Sequence, residues 1–179
     1  MPQALTLLVL LLVSGCSASR MAAPAVVELA LLPPSEGPAP VLLKQKITLL
    51  AGQRQQQFLA VARIDPDHLR LVVLLPGGQR LLTLDYDGEK LLQESFASID
   101  LPGRDLLAIM QFSTWPEASL RRHYREGDGW QVQVSPDERR LLTDSGPALT
   151  IAYRAAEMQI DNFLMEYRII VNTLERSEP

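Results

Sequence analysis

The sequence has little of the chemistry that builds metal sites or active sites. Its 179 residues contain one cysteine, Cys16, and two histidines, His68 and His123. One cysteine allows no intrachain disulfide, and neither histidine has a second histidine or a cysteine at metal-ligand spacing. Gly-x-Ser-x-Gly, Walker and His-Glu-x-x-His motifs are also missing. We therefore expect solvated histidines, no metal, no cofactor and no enzymatic activity.

The sequence also lacks a block of basic residues. It has 17 Lys and Arg against 21 Asp and Glu, which gives a formal net charge of −4. A nucleic-acid binder needs clustered cations to neutralise phosphates, so we expect no nucleic-acid partner. With 47% hydrophobic and 21% charged residues, the composition is that of an ordinary globular domain.

Charge is missing altogether from residues 1–15. Their apolar run, Leu5 to Val13, is shorter than the roughly 20 residues of a membrane-spanning helix and has the length typical of a signal peptide's hydrophobic region. Small residues follow it and precede the cysteine, and Val13-Ser14-Gly15-Cys16 resembles the lipobox of bacterial lipoproteins. The alternative is that residues 1–15 form a core strand or helix with Cys16 buried.

The lipobox resemblance implies a location. Residues 1–15 would be a lipoprotein signal peptide, and acylated Cys16 would attach the mature protein to membrane lipid. Ser17 stands where an aspartate would resemble the signal for inner-membrane retention. The resemblance therefore implies the outer membrane, with the domain facing the periplasm.

Alanine and proline are frequent in residues 16–40, as in Pro33-Pro34. Proline has no amide donor and joins no interior sheet, so we predict a lipidated tether over 16–40 and the folded domain over 41–179. Residues 26–32 are apolar enough to dock on that domain as a short helix or edge strand.

Beyond residue 40 the apolar and polar residues alternate, as in half-buried strands. Turn sequences separate five runs before residue 97, which predicts an antiparallel meander. Helical spacing follows from Leu101, and Thr114-Trp115-Pro116-Glu117 matches the capping box of a second helix. Strands return from Trp130 to Asn172. The order strands, helices, strands predicts an α+β fold with one large antiparallel sheet.

This order of elements, together with the segments Leu74 to Tyr86 and Leu101 to Pro116, resembles the LolB family of outer-membrane lipoproteins. It resembles more closely an uncharacterised family of LolB-like lipoproteins that are often encoded beside aryl-polyene or fatty-acid-type synthesis genes. The resemblance implies a single curved antiparallel sheet, an unclosed half-barrel of the LolA/LolB type, whose helical insert covers the concave face over a hydrophobic cavity.

The same resemblance implies a function. The cavity would bind an acyl-chain or polyene ligand, or the acyl moiety of a lipoprotein, and the protein would assist its transfer or insertion, with a periplasmic carrier protein as a further partner. The alternative is a structural or assembly-scaffold lipoprotein whose core is filled. The candidate cavity-lining residues are Phe58, Leu106, Ile109, Met110, Phe112, Trp115, Trp130, Met165 and Tyr167.

The segment Leu75-Pro76-Gly77-Gly78 falls where LolB has a protruding Pro-Leu-Gly loop. In that family the leucine of the loop helps to insert lipoprotein into the membrane. Here the leucine precedes the proline instead of following it. Leu75 and Pro76 are therefore the candidate membrane-contact residues.

Overall fold

The computed structural model describes residues 28–96, 102–155 and 157–178. The predicted signal peptide, Cys16 and most of the predicted tether lie outside the described residues. The strands are β1 (Val41–Ala51), β2 (Arg54–Asp65), β3 (His68–Leu74), β4 (Arg80–Tyr86) and β5 (Leu91–Ser95), then β6 (Trp130–Val134), β7 (Glu138–Thr143), β8 (Gly146–Tyr153), β9 (Met158–Asn162) and β10 (Tyr167–Ser177), and the helices between β5 and β6 are α1 (Gly103–Thr114) and α2 (Glu117–His123).

All ten strands belong to one sheet, in the order β5-β4-β3-β2-β1-β10-β9-β8-β7-β6. Every pairing is antiparallel, and β1 joins the two halves because it pairs with both β2 and β10. Among the described residues the outermost strands, β5 and β6, do not pair with each other, so the sheet is unclosed. The predicted α+β class with one unclosed antiparallel sheet is confirmed.

The antiparallel order gives the sheet two ends. We call the end that carries the β1–β2, β3–β4, β7–β8 and β9–β10 turns the upper end. The other four hairpin turns lie at the lower end. The predicted turns are present at both ends: at the β4–β5 turn, for example, the Asp87 carboxylate accepts hydrogen bonds from the amides of Glu89 and Lys90 at 2.9 and 2.7 Å. An aspartate that bonds the following backbone in this way fixes a tight turn.

The two helices lie between β5 and β6, as predicted, but the prediction of a capping box at the start of α2 is wrong. The Thr114 hydroxyl donates to the carbonyl of Met110, at 2.7 Å, and α2 begins after Pro116 without a side-chain cap. Thr114 is still inside the last turn of α1, where a threonine hydroxyl reaches the carbonyl four residues back. The residue before a proline is pushed out of the helical region, and Trp115 accordingly has an extended ψ of 152°.

The segment ahead of β1 packs on the helices. We call residues 29–37 the strap. We expected a helix or edge strand over residues 26–32, but the described part of that segment has no regular structure. A short 3-10 helix follows at Pro34–Glu36. The strap's backbone groups are paired by helix side chains: Arg104 donates to the carbonyl of Leu29 at 2.6 Å, and Tyr124 to that of Ala30 at 3.2 Å. Prolines keep the strap out of the sheet, but they do not keep it off the domain.

Candidate functional site

The face of the sheet that α1 covers holds a cavity of about 320 Å³. Strand alternation builds its wall, because every second residue of a strand points to the same face. On β1 these residues are Gln45, Ile47 and Leu49, and on β2 they include Phe58, which lies opposite Ile47 in the register. The cavity reaches the upper end of the sheet, where Met165 on the β9–β10 turn is both part of the wall and 51% exposed.

Helix α1 forms one side of the cavity with one of its faces. Leu106, Ile109, Met110 and Ser113 recur at the spacing of one helical face, and all four line the cavity. The hydroxyl of Ser113 donates to the carbonyl of Met110 at 2.7 Å, so it is already paired within the helix. The helix therefore presents a mostly apolar surface to the cavity.

Six of the nine predicted cavity residues lie in the wall. Burial raises the pKa of one of them, Tyr167, so its phenol is uncharged there. The six residues are Phe58, Leu106, Ile109, Met110, Met165 and Tyr167.

The other three predicted residues lie elsewhere. Phe112 and Trp115 are fully buried, and the indole of Trp115 donates to the carbonyl of Pro33, on the strap side of the helices. Trp130 packs edge-on against Tyr124, with ring centroids 5.3 Å apart. For Phe112 the reason is that α1 is buried on two faces, one toward the cavity and one toward the core and strap. Trp115 follows the end of α1 and Trp130 begins β6, so neither lies on the face of α1 that lines the cavity.

Sequence reasoning missed the aliphatic part of the wall. Ala60, Leu71, Val73, Ile169 and Val171 all line the cavity. The signal was available, because these residues occupy alternate positions of strands that are apolar on that face. Most of the predicted cavity residues are instead large aromatic residues and methionines. The size of a side chain does not indicate which face of a strand or helix it occupies.

The two candidate membrane-contact residues differ in their exposure. Leu75 is half-buried and packs against the core, and its amide donates to the carbonyl of Gln79 at 2.8 Å. Pro76 is exposed at the tip of the β3–β4 turn. Leu75 therefore does not protrude as the leucine of the LolB loop does. The upper end does expose a large apolar side chain on another turn, the β9–β10 turn, where Phe163 is 50% exposed.

Both histidines contact carboxylates and keep part of their side chains exposed to solvent, 43% for His68 and 29% for His123. His68 pairs with Asp85, and Nε2 of His123 lies 3.1 Å from a carboxylate oxygen of Glu36 in the strap. Burial alone would raise the pKa of Glu36, but hydrogen bonds from Arg122, Ser119 and His123 outweigh it, and the pKa lies below its ordinary value. In the described ranges no group of three or more His, Cys, Asp or Glu side chains could hold a metal ion.

A comparison with protein families identifies the chain's relatives. The profile of a family described as a protein of unknown function, DUF3261, matches residues 42–175. The chain belongs to the DUF3261 family. A search of curated proteins finds no match.

Solved structures provide two further likenesses. A LolA superfamily protein from Nitrosomonas europaea has 10% identity and a TM-score of 0.48, over 79% of this chain and 86% of that one. A domain from Vibrio parahaemolyticus, provisionally described as an outer membrane lipoprotein-sorting protein, has 8% identity and a TM-score of 0.42, over 78% of this chain and 85% of the other.

The DUF3261 match covers both helices and every residue of the cavity wall. The strap lies ahead of it and is held by residues inside it, such as Arg104 and Tyr124. No helix in the part of the chain that the structure describes is both long and apolar enough to span a membrane.

Proposed function

We propose that this protein is an outer-membrane lipoprotein that binds an acyl or polyene lipid, or the acyl moiety of a lipoprotein, and assists its transfer or insertion. One observation carries the proposal: a mostly apolar cavity of about 320 Å³ between α1 and the sheet. Ligand pockets are concave, mostly apolar and about 300–1,000 Å³ in volume. The protein would act by binding, without catalysis.

The chemistry of the wall supports a flexible apolar ligand. Protein interiors are packed as densely as organic crystals, so an apolar cavity of this size lacks contacts that an acyl chain would supply. Each methylene group removed from water contributes about 0.8 kcal/mol. Met110, Met158 and Met165 all line the cavity, and unbranched thioether side chains adapt to chains of different shape.

The proposed anchor is compatible with work at a membrane surface. Glu28, the first described residue, lies twelve positions after Cys16. A fully extended chain of that length spans at most about 40 Å. An acylated Cys16 would therefore keep the cavity within that distance of the lipid surface, plus the size of the domain itself.

A cavity-filling variant tests the proposal. The protein is the mature chain from residue 16 with Cys16→Ser, which carries no acyl group, and the ligand is cis-parinaric acid, a fluorescent polyene fatty acid. Ala60 lines the cavity, so Ala60→Leu should abolish binding and leave the free energy of unfolding nearly unchanged. Ala62, two residues along the same face of β2, is buried and does not line this cavity. Ala62→Leu should keep binding but lose about 1–3 kcal/mol through overpacking.

The scaffold alternative gives a different result. A scaffold protein whose core is filled by side chains has no space for a ligand. In that case the unsubstituted chain would not bind cis-parinaric acid. Binding that survives Ala60→Leu would place the ligand outside the cavity. Either result would contradict the proposal.

A further inference from the structure

A second cavity, of about 630 Å³, continues from the first toward the lower end of the sheet. Both cavities are lined by Gln45, Ser113, Thr114, Met158 and Val171, so they adjoin along the middle of the sheet. Strand β10 runs past both: its early residues line the first cavity, and its late residues line the second. Together the two cavities follow β10 from the upper end to the lower end.

The second cavity differs from the first in charge. No Lys, Arg, Asp or Glu lines the first cavity, whereas Arg154, Arg176 and Glu157 line the second. Among the described residues, the ion pairs do not include either of these two arginines. Two guanidinium groups against one carboxylate leave this wall with a net positive charge.

Guanidinium groups recognise a particular chemistry. Their planar set of N–H donors matches carboxylate and phosphate oxygens and can bind them in pairs. The polar atoms of Gln45 and Thr173, which lie 3.4 Å apart, add hydrogen-bonding groups to the same wall. The combined cavity is therefore apolar at the upper end and cationic at the lower end.

We infer that the two cavities form one binding site for an anionic amphiphile. Its acyl or polyene chain occupies the first cavity, and its carboxylate or phosphate head contacts Arg154 and Arg176 in the second. The inference rests on the proposed function and adds to it the class of head group and the direction in which the ligand lies.

Three ligands with the same sixteen-carbon chain test the inference: palmitate, hexadecyl phosphate and hexadecanol. Each displaces the neutral probe Nile red from the mature chain that carries Cys16→Ser. We expect both anionic ligands to bind about 10-fold more tightly than the alcohol, since two partly exposed charge contacts together supply that order of discrimination. The stronger of the two anionic ligands identifies the head group.

The variants separate the arginines from general charge effects. The double variant Arg154→Gln/Arg176→Gln should remove the preference by lowering the affinity for both anionic ligands to about that for hexadecanol. Glu157→Gln should increase the preference, because it removes the opposing carboxylate. The matched control is Arg63→Gln/Arg140→Gln, which removes two exposed arginines that line neither cavity and should keep the preference.

The outcomes distinguish the inference from the proposed function. Equal binding of all three ligands, or a preference that survives the Arg154/Arg176 double variant, overturns the inference and leaves the lipid-binding function in place. If none of the three ligands displaces the probe, the proposed function fails and the inference fails with it.

Discussion

The attachment of the strap to α1 depends on one glutamine. Gln111 is fully buried, and its amide forms two hydrogen bonds with the backbone of Leu32: its oxygen accepts from the amide at 2.9 Å, and its nitrogen donates to the carbonyl at 2.6 Å. The substitution Gln111→Met keeps the approximate volume of the side chain and removes both bonds. It leaves the amide and carbonyl of Leu32 without partners in a buried place.

The expected cost follows from those two groups. An unpaired buried donor or acceptor costs about 1–3 kcal/mol. Two such groups give an expected loss of about 2–6 kcal/mol in the free energy of unfolding, out of the ~5–15 kcal/mol typical of a native protein. Partial detachment of the strap would let water reach Leu32 and would place the loss at the lower end of this range.

Urea denaturation followed by tryptophan fluorescence measures the loss. Trp115 is a suitable reporter because its indole nitrogen donates to the carbonyl of Pro33 in the strap. The matched control is Gln131→Met, at an exposed position of β6, which should stay within about 0.5 kcal/mol of the unsubstituted protein. If Gln111→Met also stays within that range, the strap is not held in the way described.

Two further substitutions test the strap and the helix. Glu36 has a lowered pKa in the folded protein, so its contribution to stability is present above the ordinary glutamate pKa and is lost as the pH falls through the folded-state value. The stability difference between the unsubstituted protein and Glu36→Gln should therefore be full at neutral pH and shrink below about pH 4.5, in urea titrations at several pH values; a constant difference would refute the assignment. Ile109 is 2% exposed, and Tyr153 and Arg139 hold the end of α1 through its carbonyls, so Ile109→Ala should cost about 2–5 kcal/mol. A cost under about 1 kcal/mol would show that α1 is a loosely packed lid.

Local signals explain why much of the fold could be predicted. Alternation gives a strand its faces, and turn residues such as Asp87 separate one strand from the next through contacts within a few residues. The order of strands and helices then restricts the sheet to a few arrangements. The antiparallel sheet and its helical insert follow from these short-range properties, whereas the unclosed form of the sheet was implied only by the resemblance to the LolB family.

The strap and the second face of α1 depend on distant contacts. Gln111 is a polar residue on a largely apolar helix, and its partner, Leu32, lies 79 residues away in a segment whose prolines are typical of a tether. Phe112 and Trp115 were expected in the cavity wall, yet α1 buries both of its faces. No local pattern indicates that a proline-rich segment covers a helix or that a glutamine pairs with it.

The central claim is that the cavity under α1 binds an acyl or polyene lipid. Native mass spectrometry of the mature chain with Cys16→Ser, purified without detergent from a bacterial host, tests it most directly. We predict a bound species heavier than the polypeptide by the mass of one fatty acid or polyene, and its loss in the Ala60→Leu variant. Ligand-free protein in every preparation, with an unchanged spectrum for Ala60→Leu, would contradict the account.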